Sequence, residues 1–178
     1  MGASLMKLSE LEQKKLPFRG SELNIKVVRS PFSFSRITQK ENLLTINLSS
    51  IFKTEEEQVK EAGNQIMLWY KSQARRYFTQ EVQSEKAKYG FSYKEIAIKD
   101  TASRWGSCSA QKNLNFNWRL IMTPPEILRY VVCHEIAHLT HLNHSTDFWN
   151  LVEKMYPKYK EAKQWLHDNC NEILSFSL

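Results

Sequence analysis

The sequence predicts a compact α+β domain in which a helix carrying an HExxH pattern is preceded by a small β-rich N-terminal region and further helices. Three observations lead to this prediction. Apolar and polar residues alternate before residue 50, and apolar residues recur at helical spacing from about residue 55. The pattern His134-Glu135-Ile136-Ala137-His138 then lies within a third helical segment.

The chain of 178 residues is long enough for one well-cored domain. No repeat, low-complexity stretch or Gly/Ser-rich linker divides it. Strand signals dominate its beginning and helical signals follow. We therefore expect a β-rich region over residues 1–53 and the main domain over 54–178, packed together as one compact unit.

The N-terminal region is predicted to contain strands and to lead into a helix. The alternating apolar residues are Leu23, Ile25, Val27, Leu44, Ile46 and Leu48. Thr54 and Glu57 have the spacing of a capping box, so a helix should begin at residue 55. Because a single helix over 55–88 would be unusually long, we expect a break near residues 70–74.

The following segments predict a second group of strands. Ile96 and Ile98 alternate in a short strand, and a longer alternation over residues 114–120 predicts another. The segment 104–109 between them is rich in small and polar residues, which indicates the first arm and turn of a β-hairpin.

One face of the predicted 113–119 strand is a candidate for substrate binding. Asn115, Asn117 and Arg119 lie on this face, opposite the apolar one. The backbone edge of the strand could pair with an extended peptide. An ordinary half-exposed strand explains the alternation equally well, so both interpretations stay open.

A capped and buried helix is expected to carry the histidines. Thr123 stands at the expected N-cap, proline follows at the first helical position, and Glu126 completes a capping box. Ile127 and Val131 lie on or near the histidine face and should be buried. A packed helix of this kind supports metal ligands rigidly.

The HExxH spacing indicates a zinc hydrolase. His134 and His138 lie about one turn apart on one helical face, so both imidazoles can reach the same ion. Glu135 lies beside them, where its carboxylate can take a proton from water activated by the ion. Cys133 points about 100° away from His134, and we interpret it as a small buried core residue.

A third ligand is needed, because catalytic zinc usually has three protein ligands. His141 lies about 10 Å along the helix axis from His134, where convergence would be strained. His144 can turn back only if the helix ends near Leu142-Asn143, and asparagine favours the left-handed turn that ends helices. We therefore prefer His144 and interpret His141 as lining the cleft.

The residues around the site have less specific interpretations. Ser145-Thr146-Asp147 supplies capping for a further helix, and Asp147 either orients a ligand histidine or simply occupies the first helical turn. His167 is isolated on the last helix and is expected to be structural or exposed. No stabiliser of a negatively charged oxygen can be assigned, and the candidates are Arg104, His141 and Tyr156.

Several motifs together resemble the YgjP-like metallopeptidase family. They cover about residues 103–149, with looser similarity from about 23 to 168, and are Arg104-Trp105-Gly106-Ser107-Cys108-Ser109, Asn117-Trp118-Arg119-Leu120, Tyr130-Val131-Val132-Cys133-His134-Glu135-Ile136-Ala137-His138-Leu139, Asn143-His144-Ser145 and Phe148-Trp149. The resemblance implies a compact zincin-like fold, related to SprT-like and gluzincin-type peptidases. It also implies zinc bound by His134, His138 and His144, with Glu135 as the catalytic base.

Composition limits the partners and the compartment. The net charge of +6 and pI near 9.2 allow nucleic acid binding, but basic residues cluster only at Lys14-Lys15 and Arg75-Arg76, and a solvated surface explains the charge better. No apolar run approaches the roughly 20 residues that span a bilayer, and we expect no membrane partner or signal peptide. Three cysteines without a CxxC spacing favour a reducing cytoplasm.

The expected function is that of a zinc-dependent metallopeptidase acting on a peptide or protein substrate. One alternative is a metal-dependent phosphohydrolase for a nucleotide or phosphate ester. Another is a non-catalytic, zinc-stabilised binding module, in which His141 or Cys133 would complete a closed set of four ligands. A weaker alternative is a protease that acts on DNA-bound proteins.

Overall fold

The computed structural model describes residues 6–178, which form a mixed α+β structure in two compact units, residues 6–70 with Leu178 and residues 71–177. The division falls inside a long helix. The domain boundary expected between residues 53 and 54 stays a prediction, whereas the α+β fold class is confirmed.

The first unit contains a four-stranded sheet. Its elements are α1 (Leu8–Gln13), β1 (Lys15–Phe18), β2 (Ser21–Ser30), β3 (Arg36–Lys40) and β4 (Leu43–Ser49). The strand order is β1-β2-β4-β3, with β2 and β4 parallel and the outer pairs antiparallel. The predicted alternation is confirmed for Leu23, Ile25, Leu44, Ile46 and Leu48, whose side chains are buried, whereas Val27 is only half-buried.

Helix α2 (Glu55–Tyr89) is continuous over 35 residues. The predicted capping box is confirmed, since Glu57 N donates to Thr54 Oγ1 and Thr54 N donates to the Glu57 carboxylate. The predicted break near 70–74 is wrong. That stretch contains neither proline nor glycine, and the buried stripe continues through Tyr70, Ala74 and Phe78.

The second unit contains a three-stranded sheet. Its strands are β5 (Glu95–Lys99), β6 (Gly106–Cys108) and β7 (Asn113–Asn117), in the order β5-β7-β6. Strand β7 is parallel to β5 and antiparallel to β6, so the predicted hairpin is confirmed. Because β7 is the central strand, the prediction that its backbone edge is free to pair with a peptide is wrong.

The strand predicted over 114–120 ends earlier than expected. A short 3-10 helix (Trp118–Met122) follows β7. The side-chain oxygen of Asn117 accepts a hydrogen bond from Arg119 N and caps this turn. Arg119 therefore lies outside the strand, and the alternation does not continue beyond residue 117, because Leu120, Ile121 and Met122 of the short helix are all buried.

Helix α3 (Pro125–Ala137) forms the core of the second unit. Its N-cap is Pro124, so the prediction that Thr123 caps the helix is wrong; the Thr123 hydroxyl instead donates to Leu120 O and closes the 3-10 turn. Ile127 and Val131 are buried, as expected.

An ion pair ties α3 to the second half of α2. Arg129 of α3 contacts the Glu85 carboxylate at 3.1 Å, and Lys88 contacts the same oxygen at 3.0 Å. The Glu85 side chain is fully buried, and a buried carboxylate is stable only when it is paired. The pairing therefore helps to hold the histidine-bearing helix in place.

Two further helices complete the second unit, α4 (Thr146–Met155) and α5 (Tyr159–Leu174), and both contact α3. None of the helices within residues 6–178 combines the length and apolar composition that a bilayer crossing demands.

Candidate active site

Three histidine side chains converge at the end of α3. The ligand atoms of His134, His138 and His144 all lie within 4.8 Å of one another. Nε2 of His134 and Nε2 of His144 are 3.2 Å apart. The structure therefore brings together the three histidines that the sequence predicted as metal ligands.

The convergence depends on where α3 ends. The helix stops at Ala137, one turn before the predicted end near Leu142-Asn143, and Asn143 does not have a left-handed backbone. The backbone N–H of His141 instead donates to Ala137 O and forms a turn, within which the His138 imidazole bonds to the carbonyl oxygen of His141 at 3.0 Å. Since a carbonyl only accepts, Nδ1 of His138 carries the proton and Nε2 keeps its lone pair for a metal.

The next helix, α4, supplies an aromatic ring that packs against the three imidazoles. Ser145 is the N-cap of α4, and its hydroxyl accepts from Phe148 N, as the sequence predicted. The fully buried Phe148 ring lies 4.5–5.0 Å from the three imidazole centroids. This ring restricts how far the imidazoles can rotate away from one another.

The three histidines fit a zinc ion. Two nitrogens that each bind a tetrahedral zinc at about 2.0–2.1 Å lie about 3.3 Å apart, close to the 3.2 Å between the His134 and His144 nitrogens. Burial is the main cause that lowers the pKa of His134 to about 3, and burial also lowers the pKa of His144. Both rings are therefore neutral near pH 7, as metal binding requires.

Glu135 is a buried carboxylate next to this cluster. It is 5 % exposed, and its Oε2 has no hydrogen-bond partner among residues 6–178. Burial raises the pKa of Glu135 to about 8, while the nearby Arg104 acts in the opposite direction. The carboxylate packs against the backbone of Gly106, where a Cβ atom would lie only 2.6 Å from Oε1.

A cavity of about 460 Å³ opens beside Glu135. The segment before β6, helix α3 and helix α5 contribute its walls, which are Ser103, Arg104, Trp105, Gly106, Tyr130, Val131, His134, Glu135, Lys163, Leu166, His167, Cys170 and Leu174. The carboxylate and one histidine of the cluster therefore face a space that a substrate can enter.

The sequence of this chain matches the model of the YgjP-like metallopeptidase domain over residues 5–169. The chain belongs to the YgjP-like metallopeptidase family. No curated protein matches it. Among solved structures, it is similar to the metallopeptidase zymogen of Pyrococcus abyssi abylysin, with 21% sequence identity, coverage of 51% of this chain and 93% of that one, and a TM-score of 0.46. The family supports a metal-dependent peptidase acting on peptides or proteins.

Other residues considered for the metal site of this metallopeptidase lie outside the histidine cluster. Cys133 is fully buried, as predicted for a core residue. His141 contributes its backbone carbonyl to His138, and its imidazole is not part of the cluster. Within residues 6–178, Asp147 makes no hydrogen bond to an imidazole, and His167 is exposed.

The three candidate substrate-binding residues do not share one open face. Asn117 is 1 % exposed, and its amide donates to Thr101 O and Arg104 O. Arg119 pairs with Asp100. Asn115 donates to Ser107 Oγ. Asn117 therefore positions the segment before β6, and a substrate contact stays a prediction for Asn115, Asn117 and Arg119.

The sequence did not predict the roles of two further residues at the site. Gly106 looked like part of a turn, and no local pattern indicates that it contacts Glu135. Lys163 lies on a helix that begins more than twenty residues after HExxH, yet its positive charge helps to lower the pKa of His134 and His144. Their contributions depend on tertiary packing alone.

Gly106→Ala is expected to reduce hydrolysis while the metal stays bound. The added Cβ would displace the Glu135 carboxylate, and misplacing a reacting group by about 1 Å costs about 100-fold in rate. We expect kcat/KM for a peptide to fall by about 10–100-fold. Gly63→Ala is the matched control, because a Cβ there meets nothing within 4 Å. Unchanged kcat/KM in Gly106→Ala would show that Glu135 needs no such support.

Proposed function

We propose that this protein is a zinc-dependent peptidase in which His134, His138 and His144 hold the ion and Glu135 is the general base. One observation carries the proposal: three histidines converge, and Glu135, whose buried Oε2 has no hydrogen-bond partner in residues 6–178, lines an open cavity together with one of them. Structural groups of this kind are normally satisfied, whereas a catalytic base must keep an oxygen free for a proton.

A zinc ion held there supplies Lewis-acid chemistry, lowering the pKa of a water molecule and polarising a carbonyl. The residues of the chain would transfer the proton and orient the metal ligands. The positive charge of a bound ion would favour the ionised form of Glu135, which would take a proton from the attacking water and return it to the leaving amine. The bond from His138 to the His141 carbonyl keeps one imidazole in the tautomer that a metal needs.

Strand β6 is the better candidate for holding an extended peptide. It pairs with β7 on one side, and no strand within residues 6–178 pairs with its other edge. Its first residue, Gly106, touches Glu135. A peptide added along this edge would therefore run past the general base, with backbone hydrogen bonds giving affinity.

The alternatives have weaker support. A closed binding module needs four protein ligands, and the described residues group only three donors at this place. A phosphohydrolase would use the same metal ligands, so it must be separated by experiment. DNA binding has no dense basic cluster in the sequence to favour it.

The experiment compares substrates for the purified, zinc-loaded protein. We expect it to cleave casein or members of a peptide library, to lose this activity in a chelator and to regain it when zinc is restored. Nucleoside triphosphates serve as the competing substrate class, with mass spectrometry reading both sets of products. Hydrolysis confined to the phosphate substrates would reject the peptidase proposal, and tight salt-dependent DNA binding would favour a DNA-associated target.

A further inference from the structure

The cavity beside Glu135 has a largely apolar wall. Val131 of α3 and Leu166 of α5 are buried within it, and Trp105, Tyr130 and Leu174 add further apolar surface. Its volume of about 460 Å³ is enough for a large side chain together with neighbouring backbone. The shape and lining therefore favour an apolar residue of the substrate next to the bond that is cut.

The charged groups around this cavity are nearly all positive. Arg104 and Lys163 line it, and among the residues that the structure describes its only carboxyl group is the buried Glu135. Within residues 6–178, neither Arg104 nor Lys163 forms an ion pair. The lining thus holds positive charge that the described part of the chain does not neutralise.

Lys163 is the better placed of these cations to contact a ligand. Its ammonium lies 4.8 Å from the centre of the Trp149 ring, and the aromatic surface restricts the position of a flexible side chain. Lys163 also lines a second cavity of about 570 Å³ with Trp149, Tyr159, Lys160, Gln164 and His167. Lys163 therefore lies at the boundary between the two cavities and lines both of them.

Lys163 is exposed in the free protein, and the apolar wall beside it makes an ion pair with its ammonium more favourable once a substrate covers it. Water is displaced from the wall when a substrate enters, and an opposite charge interacts more strongly in the resulting low-dielectric environment. A neutral or positive group at the same place would leave the cation unpaired and partly dehydrated. Charge at this position should therefore discriminate between substrates.

We propose that Lys163 pairs with a substrate carboxylate that lies next to an apolar side chain held in the cavity beside Glu135. This rests on the proposed peptidase function and adds a substrate class: peptides with an apolar residue followed by a negative charge. The carboxylate belongs either to an acidic side chain or to the C-terminus of the peptide. Lys163 is thus a specificity-determining residue.

Binding and cleavage of matched peptides test this. Four peptides share one sequence and differ only at the C-terminus. They end in Phe-Asp-amide, Phe-Asn-amide, Phe-Asn with a free carboxylate, and Phe-Lys-amide. Binding is measured by fluorescence anisotropy with zinc-loaded Glu135→Gln protein, and kcat/KM is measured with the zinc-loaded wild type. We expect at least one carboxylate peptide to exceed Phe-Asn-amide by about fivefold to tenfold in both measurements. The third peptide distinguishes a terminal carboxylate from a side-chain carboxylate.

Substitutions then assign the preference to one residue. Lys163→Gln should bring the ratio of carboxylate to neutral peptide close to one, and Lys163→Glu should favour Phe-Lys-amide. Lys160→Gln removes the same charge from the same helix but lines only the second cavity, so it should keep the wild-type ratio. Equal binding of charged and neutral peptides, or a preference that survives Lys163→Gln, overturns the proposal. A binding preference without any cleavage would instead reject the peptidase function and leave the carboxylate site standing.

Discussion

Glu135→Gln is expected to lower kcat/KM for a peptide by about 10²–10⁴-fold, the contribution of a general base, while the protein keeps its zinc. Glutamine has nearly the shape of glutamate, so it fits the space against Gly106, but its amide cannot take a proton from water. The buried Oε2 already lacks a partner within residues 6–178, and we therefore expect little change in folding. Steady-state kinetics and elemental analysis of bound zinc provide the two measurements.

A second glutamate on the same helix serves as the control for this substitution. Glu126 is exposed in the first turn of α3 and does not line the cavity beside Glu135. Glu126→Gln removes the same charge and should keep wild-type kinetics and zinc content. Turnover at the wild-type rate in pure Glu135→Gln would refute the assignment of Glu135 as general base.

His138→Ala is expected to lose both zinc and hydrolysis. It removes one of the three donors that lie within 4.8 Å of one another, and two histidines alone bind zinc poorly. Because loss of an indirect partner of a ligand already costs about 10–100-fold in metal affinity, we expect a larger loss here. Competition with a fluorescent zinc chelator measures the affinity.

His141→Ala is the matched control for His138→Ala. Its imidazole lies outside the cluster, whereas its backbone carbonyl, which the substitution keeps, accepts the bond from His138. We expect it to retain zinc within a few-fold of the wild-type affinity. Loss of zinc in His141→Ala together with retention in His138→Ala would reverse the two assignments.

Local patterns predicted much of the secondary structure. Alternation located the buried strand residues Leu44 and Ile46, and the Thr54–Glu57 capping box located the start of α2. The same reasoning failed where tertiary contacts decide. The stripe of α2 stays helical through residues 70–74 because tertiary contacts hold both sides of this stretch: the Tyr70 hydroxyl donates to Pro17 O, and the Phe78 ring stacks on Phe116.

The candidate site shows the same division. The spacing of His134 and His138 follows from helical periodicity, but the exit of the chain from α3 does not. Backbone bonds from Thr140 and His141 to Ala137 O, rather than a left-handed Asn143, form the turn after α3, and the His138 imidazole bonds to the His141 carbonyl within it. Likewise, alternation placed Asn117 on a polar face, while a fully formed set of buried hydrogen bonds gives it a structural role.

The sequence by itself determined which residues are candidates for the chemistry: two histidines one turn apart, a glutamate between them and a third histidine after the helix. These features follow from local geometry, which depends on neighbours a few residues apart. Only the tertiary structure decided that Gly106 supports Glu135, that β6 rather than β7 has the unpaired edge, and that Lys163 lines the cavity. Those contacts join segments distant in sequence, and side-chain packing, which no local period encodes, selects them.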